Sequence, residues 1–115
     1  MSSTATENML SAPDPITVEI IQSSLAAITD EMFATMRRTA MSSIIYEVLD
    51  FGVALFNEHG ELASSGSGIP GFIGMLEPGV RAIINKFDVA SEIHDGDIFM
   101  LNIPHLGGVS HVNDV

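Results

Sequence analysis

The chain has 115 residues with 15 acidic and only four basic side chains, a formal net charge of -11, and no cysteine. That balance excludes a nucleic-acid backbone or an anionic membrane surface as a partner, since both need Lys and Arg clusters. The lack of cysteine excludes disulfides, thiolate nucleophiles and cysteine metal sites.

Charged residues make up 17% of the chain, against about 25% in an ordinary soluble domain. Hydrophobic residues make up 46%, and the mean hydropathy is +0.35. Such a chain has too few polar groups to cover its own surface, which points to a subunit whose apolar faces are covered by partners. The length suits one modest domain.

Residues 1–13 are small and polar, without a basic region or an apolar run, and read as a flexible arm rather than a secretory signal. No stretch of about 18 apolar residues occurs, so no membrane span is expected and the cytoplasm is the expected compartment. Asp14-Pro15 reads as a helix start, with Asp14 as cap and Pro15 in the first helical position. Val18, Ile21, Leu25, Ile28, Met32 and Met36 then recur at three- and four-residue spacing, which predicts one long helix over about 15–41. Arg37 and Arg38 fall in its last turns, where cations complement the helix dipole. They are expected either to bind an anionic group or to close the helix, one of them pairing with Glu47 or Asp50.

Ser42-Ser43 is expected to break the helix. Ile44 to Leu49 is ambiguous between helix and strand. The apolar run 51–56, the turn Asn57-Glu58-His59-Gly60 and the segment 61–65 predict a β-hairpin with Gly60 at positive φ. Residues 66–75 read as a glycine-rich loop. It lacks the G-x-x-x-x-G-K-[ST] spacing of a phosphate cradle, so its glycines are expected to allow close packing instead. Pro78 then suits the start of a second helix that buries Val80, Ile83, Ile84 and Phe87. Asp95-Gly96-Asp97 is a turn, and Ile98-Phe99-Met100-Leu101 reads as a buried strand. The expected fold class is α+β: a long N-terminal helix, a hairpin, a second helix and a further strand, in one domain over 14–115. So few strands form an incomplete sheet, expected to be completed by a partner chain.

The last turn, 107–114, is the expected seat of chemistry. His111 and Asp114 stand three apart after Gly107-Gly108, glycines that would let the backbone approach a ligand closely. Imidazole and carboxylate both suit Zn²⁺, Mn²⁺ or Fe²⁺, and the alternative is a solvated loop that Asp114 caps. His105 follows Pro104 at a strand end, either as a functional loop residue or as a partly exposed one. His59 and His94 read as surface turn residues.

Taken together, these pieces resemble the N-terminal part of the hydantoinase B/oxoprolinase family, which includes large subunits of acetone and acetophenone carboxylases. The resemblance is carried by residues 14–21, by Arg37-Arg38-Thr39-Ala40-Met41-Ser42 and by Glu47 with 50–56. It continues through Gly60, Ile69-Pro70, Gly74-Met75 and 95–99 with Leu101-Asn102. It ends in Gly107-Gly108 through His111-Val112-Asn113-Asp114, where the family shows G-G-T-H-x-x-D. Where the family has H-I-P-x-H this chain has Gly68-Ile69-Pro70-Gly71-Phe72, and where it has an aspartate before a proline this chain has Ile103.

The resemblance implies His111 and Asp114 as part of a divalent-metal site for zinc, manganese or magnesium, with ATP bound by a partner subunit. It implies a cytoplasmic hetero-oligomer with larger hydantoinase A-like and hydantoinase B-like subunits. Because family members continue well past this point, the leading expectation is a small, separately encoded subunit of an acetophenone-type ketone carboxylase. Such an enzyme joins an aromatic ketone and bicarbonate, at the expense of ATP, to make a β-keto acid. The alternatives are a piece of an ATP-dependent hydantoinase or oxoprolinase, and a non-catalytic scaffold subunit.

Overall fold

The long helix starts where its cap allows. In the computed structural model, which describes residues 12–113, the Asp14 carboxylate accepts from the backbone N–H and the hydroxyl of Thr17, each at 3.1 Å. Pro15, which has no N–H to satisfy, takes the first position of helix α1 (Pro15–Thr39). Twenty-five residues at 1.5 Å each make a rod of about 37 Å. Arg37 and Arg38 close it, and Ala40 turns to extended backbone while its N–H still reaches Met36 O at 3.0 Å. The expected arm lies outside the described residues except for Ala12 and Pro13.

The apolar stripe of α1 divides into two rows. Val18, Leu25, Met32 and the neighbouring Phe33 are half-buried, whereas Ile21, Ile28 and Met36 are exposed. The one fully buried side chain among the described residues is polar: Thr29, whose hydroxyl lies 2.9 Å from Ala26 O and 3.2 Å from the Ser64 hydroxyl of the hairpin. Helix and hairpin meet there at backbone distance. A Cβ on Gly66 would stand 2.7 Å from Thr29 O and 2.8 Å from Val53 Cγ2, closer than side chains tolerate. Below this contact Phe33 stacks on Phe51 with ring centroids 4.5 Å apart.

After Ser42 the chain makes a single helical turn, α2 (Ser43–Tyr46), which settles the ambiguous 44–49 segment as one turn of helix followed by loop. The expected hairpin forms. Strands β1 (Ala54–Phe56) and β2 (Leu62–Ser65) pair antiparallel, with Leu55 opposite Ser64 and Phe56 opposite Leu62, so one residue bulges out. Its turn is held by Asn57, whose Oδ1 accepts from the N–H groups of His59 and Glu61, and Gly60 has φ 73° as expected.

Two expectations differ from the structure. Helix α3 (Pro70–Lys86) begins at Pro70, not at Pro78, and absorbs the second half of the expected glycine loop. Pro70 takes the position Pro78 was expected to hold, and Phe72, Ile73 and Leu76 supply a packing face that outweighs the poor helix propensity of Gly71 and Gly74. Val80, Ile83, Ile84 and Phe87 are half-buried. The second difference is residues 98–101, which form no strand: they pair with no other segment among the described residues. Ile98 is 89% exposed and Met100 78%, while Phe99 leans on Phe87 at 5.2 Å between ring centroids. A strand needs a neighbour for its backbone groups, and the two-stranded sheet does not extend to this segment. The architecture is therefore α+β with a long N-terminal helix and an open, incomplete sheet. No helix among the described residues is long and apolar enough to cross a membrane.

Candidate functional site

The C-terminal loop is positioned by glycines on both sides of one contact. Gly108 lies so close to Gly79 of α3 that a Cβ on Gly79 would stand 2.7 Å from Gly108 Cα. Gly107 and Gly108 have φ 98° and 89°, a backbone that only glycine adopts readily. The Gly-Gly pair thus lets the loop backbone pack directly on α3. A 3-10 turn (Pro104–Leu106) leads into it, and Asn102 Nδ2 donates to Val112 O at 3.1 Å, tying the loop's far end back.

In this arrangement Val109 is 7% exposed, and the loop borders a half-open cavity of about 510 Å³. Its walls come from the three helices and the loops between them: Met36 of α1, Ile44 and Ile45 of α2, Phe51, and Phe72 and Leu76 of α3. Its polar lining residues are Asp50, Ser42 and Asn113. A mostly apolar hollow of this size with a few convergent polar groups is what a small-molecule site requires. Asp50 is set by an unusual backbone. Leu49 before it has φ 61°, and Phe51 N–H donates across it to Leu49 O at 2.9 Å. Left-handed backbone at a leucine costs about 1–3 kcal/mol, a strain that persists where the surroundings impose it and that is common at functional positions.

Of the expected pair, the structure describes His111; Asp114 lies outside the described residues. His111 is exposed, and its Nδ1 is 2.7 Å from the Ser110 hydroxyl. It does not line the cavity, whereas Asn113, two residues on, does. No group of three His, Asp or Glu side chains that could hold a metal ion forms among the described residues, which include His111 but not Asp114. His105 is exposed on the 3-10 turn. His59 and His94 are surface turn residues, about 70% exposed beside Glu58 and Asp97. Neither Arg37 nor Arg38 pairs with Glu47 or Asp50 as expected: Arg37 Nε donates to Tyr46 O at 3.3 Å. The glycines at 66 and 68 do pack tightly, against Thr29 and Phe51 respectively, while Gly71 and Gly74 face open space.

Sequence reasoning placed Asp50 as a partner for an arginine and overlooked Ser42 and Asn113. Ser42 and Asp50 are near neighbours in the chain but Asn113 is far from both, and only the crossing of the 107–113 loop over α3 brings it to them. The one local signal was Asp50 at the head of an apolar run, a polar group bound for a buried neighbourhood.

The fold and this cavity define an α+β unit whose polar functions gather beneath a glycine-docked C-terminal loop. The hydantoinase B/oxoprolinase family model matches residues 14–115, and the chain belongs to that family. It is 37% identical over 103 residues to an uncharacterized protein of Methanocaldococcus jannaschii, covering 89% of this chain and 18% of that one. It is 33% identical over 101 residues to the caprolactamase subunit beta of Pseudomonas jessenii, covering 88% of this chain and 17% of that subunit. With 5-oxoprolinase 1 of Arabidopsis thaliana it shares 30% identity over 102 residues, 89% of this chain and 8% of the plant protein. The chain thus spans less than a fifth of the length of these relatives. No solved structure matches it.

Proposed function

We propose that this chain forms one wall of the active site of a multi-chain, ATP-dependent enzyme that opens cyclic amides. The observation that carries this reading is the match of residues 14–115 to a family whose relatives here include a caprolactamase subunit and a 5-oxoprolinase. The cavity suits the task. Asp50, Ser42 and Asn113 can hold the polar amide end of a ring, and Phe51, Phe72 and Leu76 its hydrocarbon part. ATP is bound by a hydantoinase A-like partner, and a larger hydantoinase B-like chain completes the sheet. His111 and Asp114 are half of a zinc, manganese or magnesium site whose remaining ligands come from such a partner.

One observation favours a second reading, the acetophenone-type carboxylase. Phe72 occupies a position at which the resemblance expects a histidine, and it lines the cavity. An aromatic wall in place of a metal-binding imidazole suits an aromatic ketone.

The two readings separate in one experiment. The native assembly, recovered through a tag on this chain, is given ATP with 5-oxoproline or caprolactam, and separately ATP with acetophenone and labelled bicarbonate. Ring opening coupled to ADP release supports the first reading. Label fixed into a β-keto acid, trapped by borohydride reduction to the stable hydroxy acid before acidification, without ring opening overturns it in favour of the second. Turnover by the 115-residue chain alone overturns the dependence on partners.

A further inference from the structure

The four cations of this chain are not used alike. Arg81 is paired with Glu77 at 2.9 Å, and Lys86 lies over the Phe87 ring at 5.5 Å. Arg37 and Arg38 have no carboxylate partner among the described residues, in a chain with 15 acidic side chains to offer. They sit side by side and line a second hollow of about 680 Å³ with Phe33, Ala34, Ala40 and Tyr46. That hollow shares no lining residue with the cavity of Asp50. The helix dipole explains why cations stand at this end of α1. It does not explain why both arginines border one concavity with an aromatic and alanine lining. Arg37 is tethered by one bond, Nε to Tyr46 O at 3.3 Å, which leaves its two Nη groups to donate.

We infer that Arg37, Arg38 and Tyr46 form a binding site for a small organic carboxylate with an apolar body. The planar guanidinium forks match a carboxylate, the Tyr46 hydroxyl adds a donor, and Phe33, Ala34 and Ala40 take the hydrocarbon part. The lining is what favours an organic carboxylate over inorganic phosphate, which has no apolar body to bury. In a chain of net charge -11, two adjacent guanidiniums without a carboxylate partner among the described residues are the place for an anion to settle.

Tyr46 is the only tyrosine and the chain has no tryptophan, so tyrosine emission reports on this site alone. The full chain is titrated at constant ionic strength with cyclohexanecarboxylate, acetate, inorganic phosphate and the neutral cyclohexylmethanol. The expected result is a saturable change with cyclohexanecarboxylate, binding about tenfold or more tighter than acetate, phosphate or the alcohol. Arg38→Gln and Arg37→Gln should each weaken it by about tenfold, the worth of one charge-assisted hydrogen bond, with Arg38→Lys falling between. The inference is overturned if phosphate binds as tightly as the carboxylate, if the alcohol equals it, if Arg38→Gln leaves binding unchanged, or if nothing saturates. The comparison of ligands on the unaltered chain stands even if a variant fails to fold, which far-UV circular dichroism would reveal.

Discussion

Two stretches of this chain have strand-like sequences, and they meet opposite fates. Residues 54–56 pair with 62–65 because a five-residue turn, held by Asn57 and Gly60, brings the partner back at once. Residues 98–101 are at least as apolar, yet no strand among the described residues pairs with them, and Ile98 and Met100 lie bare. The difference teaches that strand propensity here is local, whereas strand pairing depends on what else is near. The hairpin is also locked from outside, by Thr29 and Gly66 against α1, while 98–101 rests on Phe99 against Phe87 and Leu101 beside Gly79 and Gly108.

The largest effect is expected at the lock. Gly66→Ala places a methyl 2.7 Å from a backbone oxygen that cannot swing away, and should cost about 1–3 kcal/mol, read as a lower urea midpoint at unchanged slope. An unchanged midpoint would show that helix and hairpin do not pack as closely as described. Thr29→Val removes the hydroxyl that meets Ser64 inside the contact and should cost about 1 kcal/mol. Restoration by Thr29→Ser would separate the hydrogen bond from packing. Ile98→Lys, on the bare segment, should change the stability of the free chain by less than about 0.5 kcal/mol. In the partner-completed sheet proposed above, the same change should release the chain from the assembly on size exclusion; retention would show that this edge is not covered.

The smallest effect concerns acid. The Ser91 hydroxyl and then the Ala90 N–H donate to Asp88, which holds its carboxyl below the usual carboxylate range. A group whose folded pKa is depressed stabilises the fold above its unfolded pKa and loses that contribution as pH falls. The turn that follows α3 should therefore loosen only below about pH 4, seen as chemical-shift changes at Ala90 and Ser91 while the hairpin signals stay put.

Much of the fold was legible where the interactions are short-ranged. The Asp14 cap, the stripe from Val18 to Met36 and the Asn57–Gly60 turn all act within a few residues, so α1 and the hairpin could be read in place. The start of α3 was hidden because Gly71, Gly74 and Pro78 are breakers by propensity, and burial of Phe72, Ile73 and Leu76 overrides them. The candidate site was legible only at its edge. Asn113 was passed over for its neighbours His111 and Asp114, because ligand chemistry can be read from residue type whereas the direction a loop faces cannot.

The order of residues is enough to establish an acidic, cysteine-free member of its family with one long capped helix and a hairpin, since composition, capping and periodicity need no distant contact. Which half of the helix stripe is covered, that 98–101 stays unpaired, and that Ser42, Asp50 and Asn113 meet in one cavity follow only from the folded chain. Each depends on segments tens of residues apart finding or missing one another, and the contact of Gly79 with Gly108 is the hinge of that outcome.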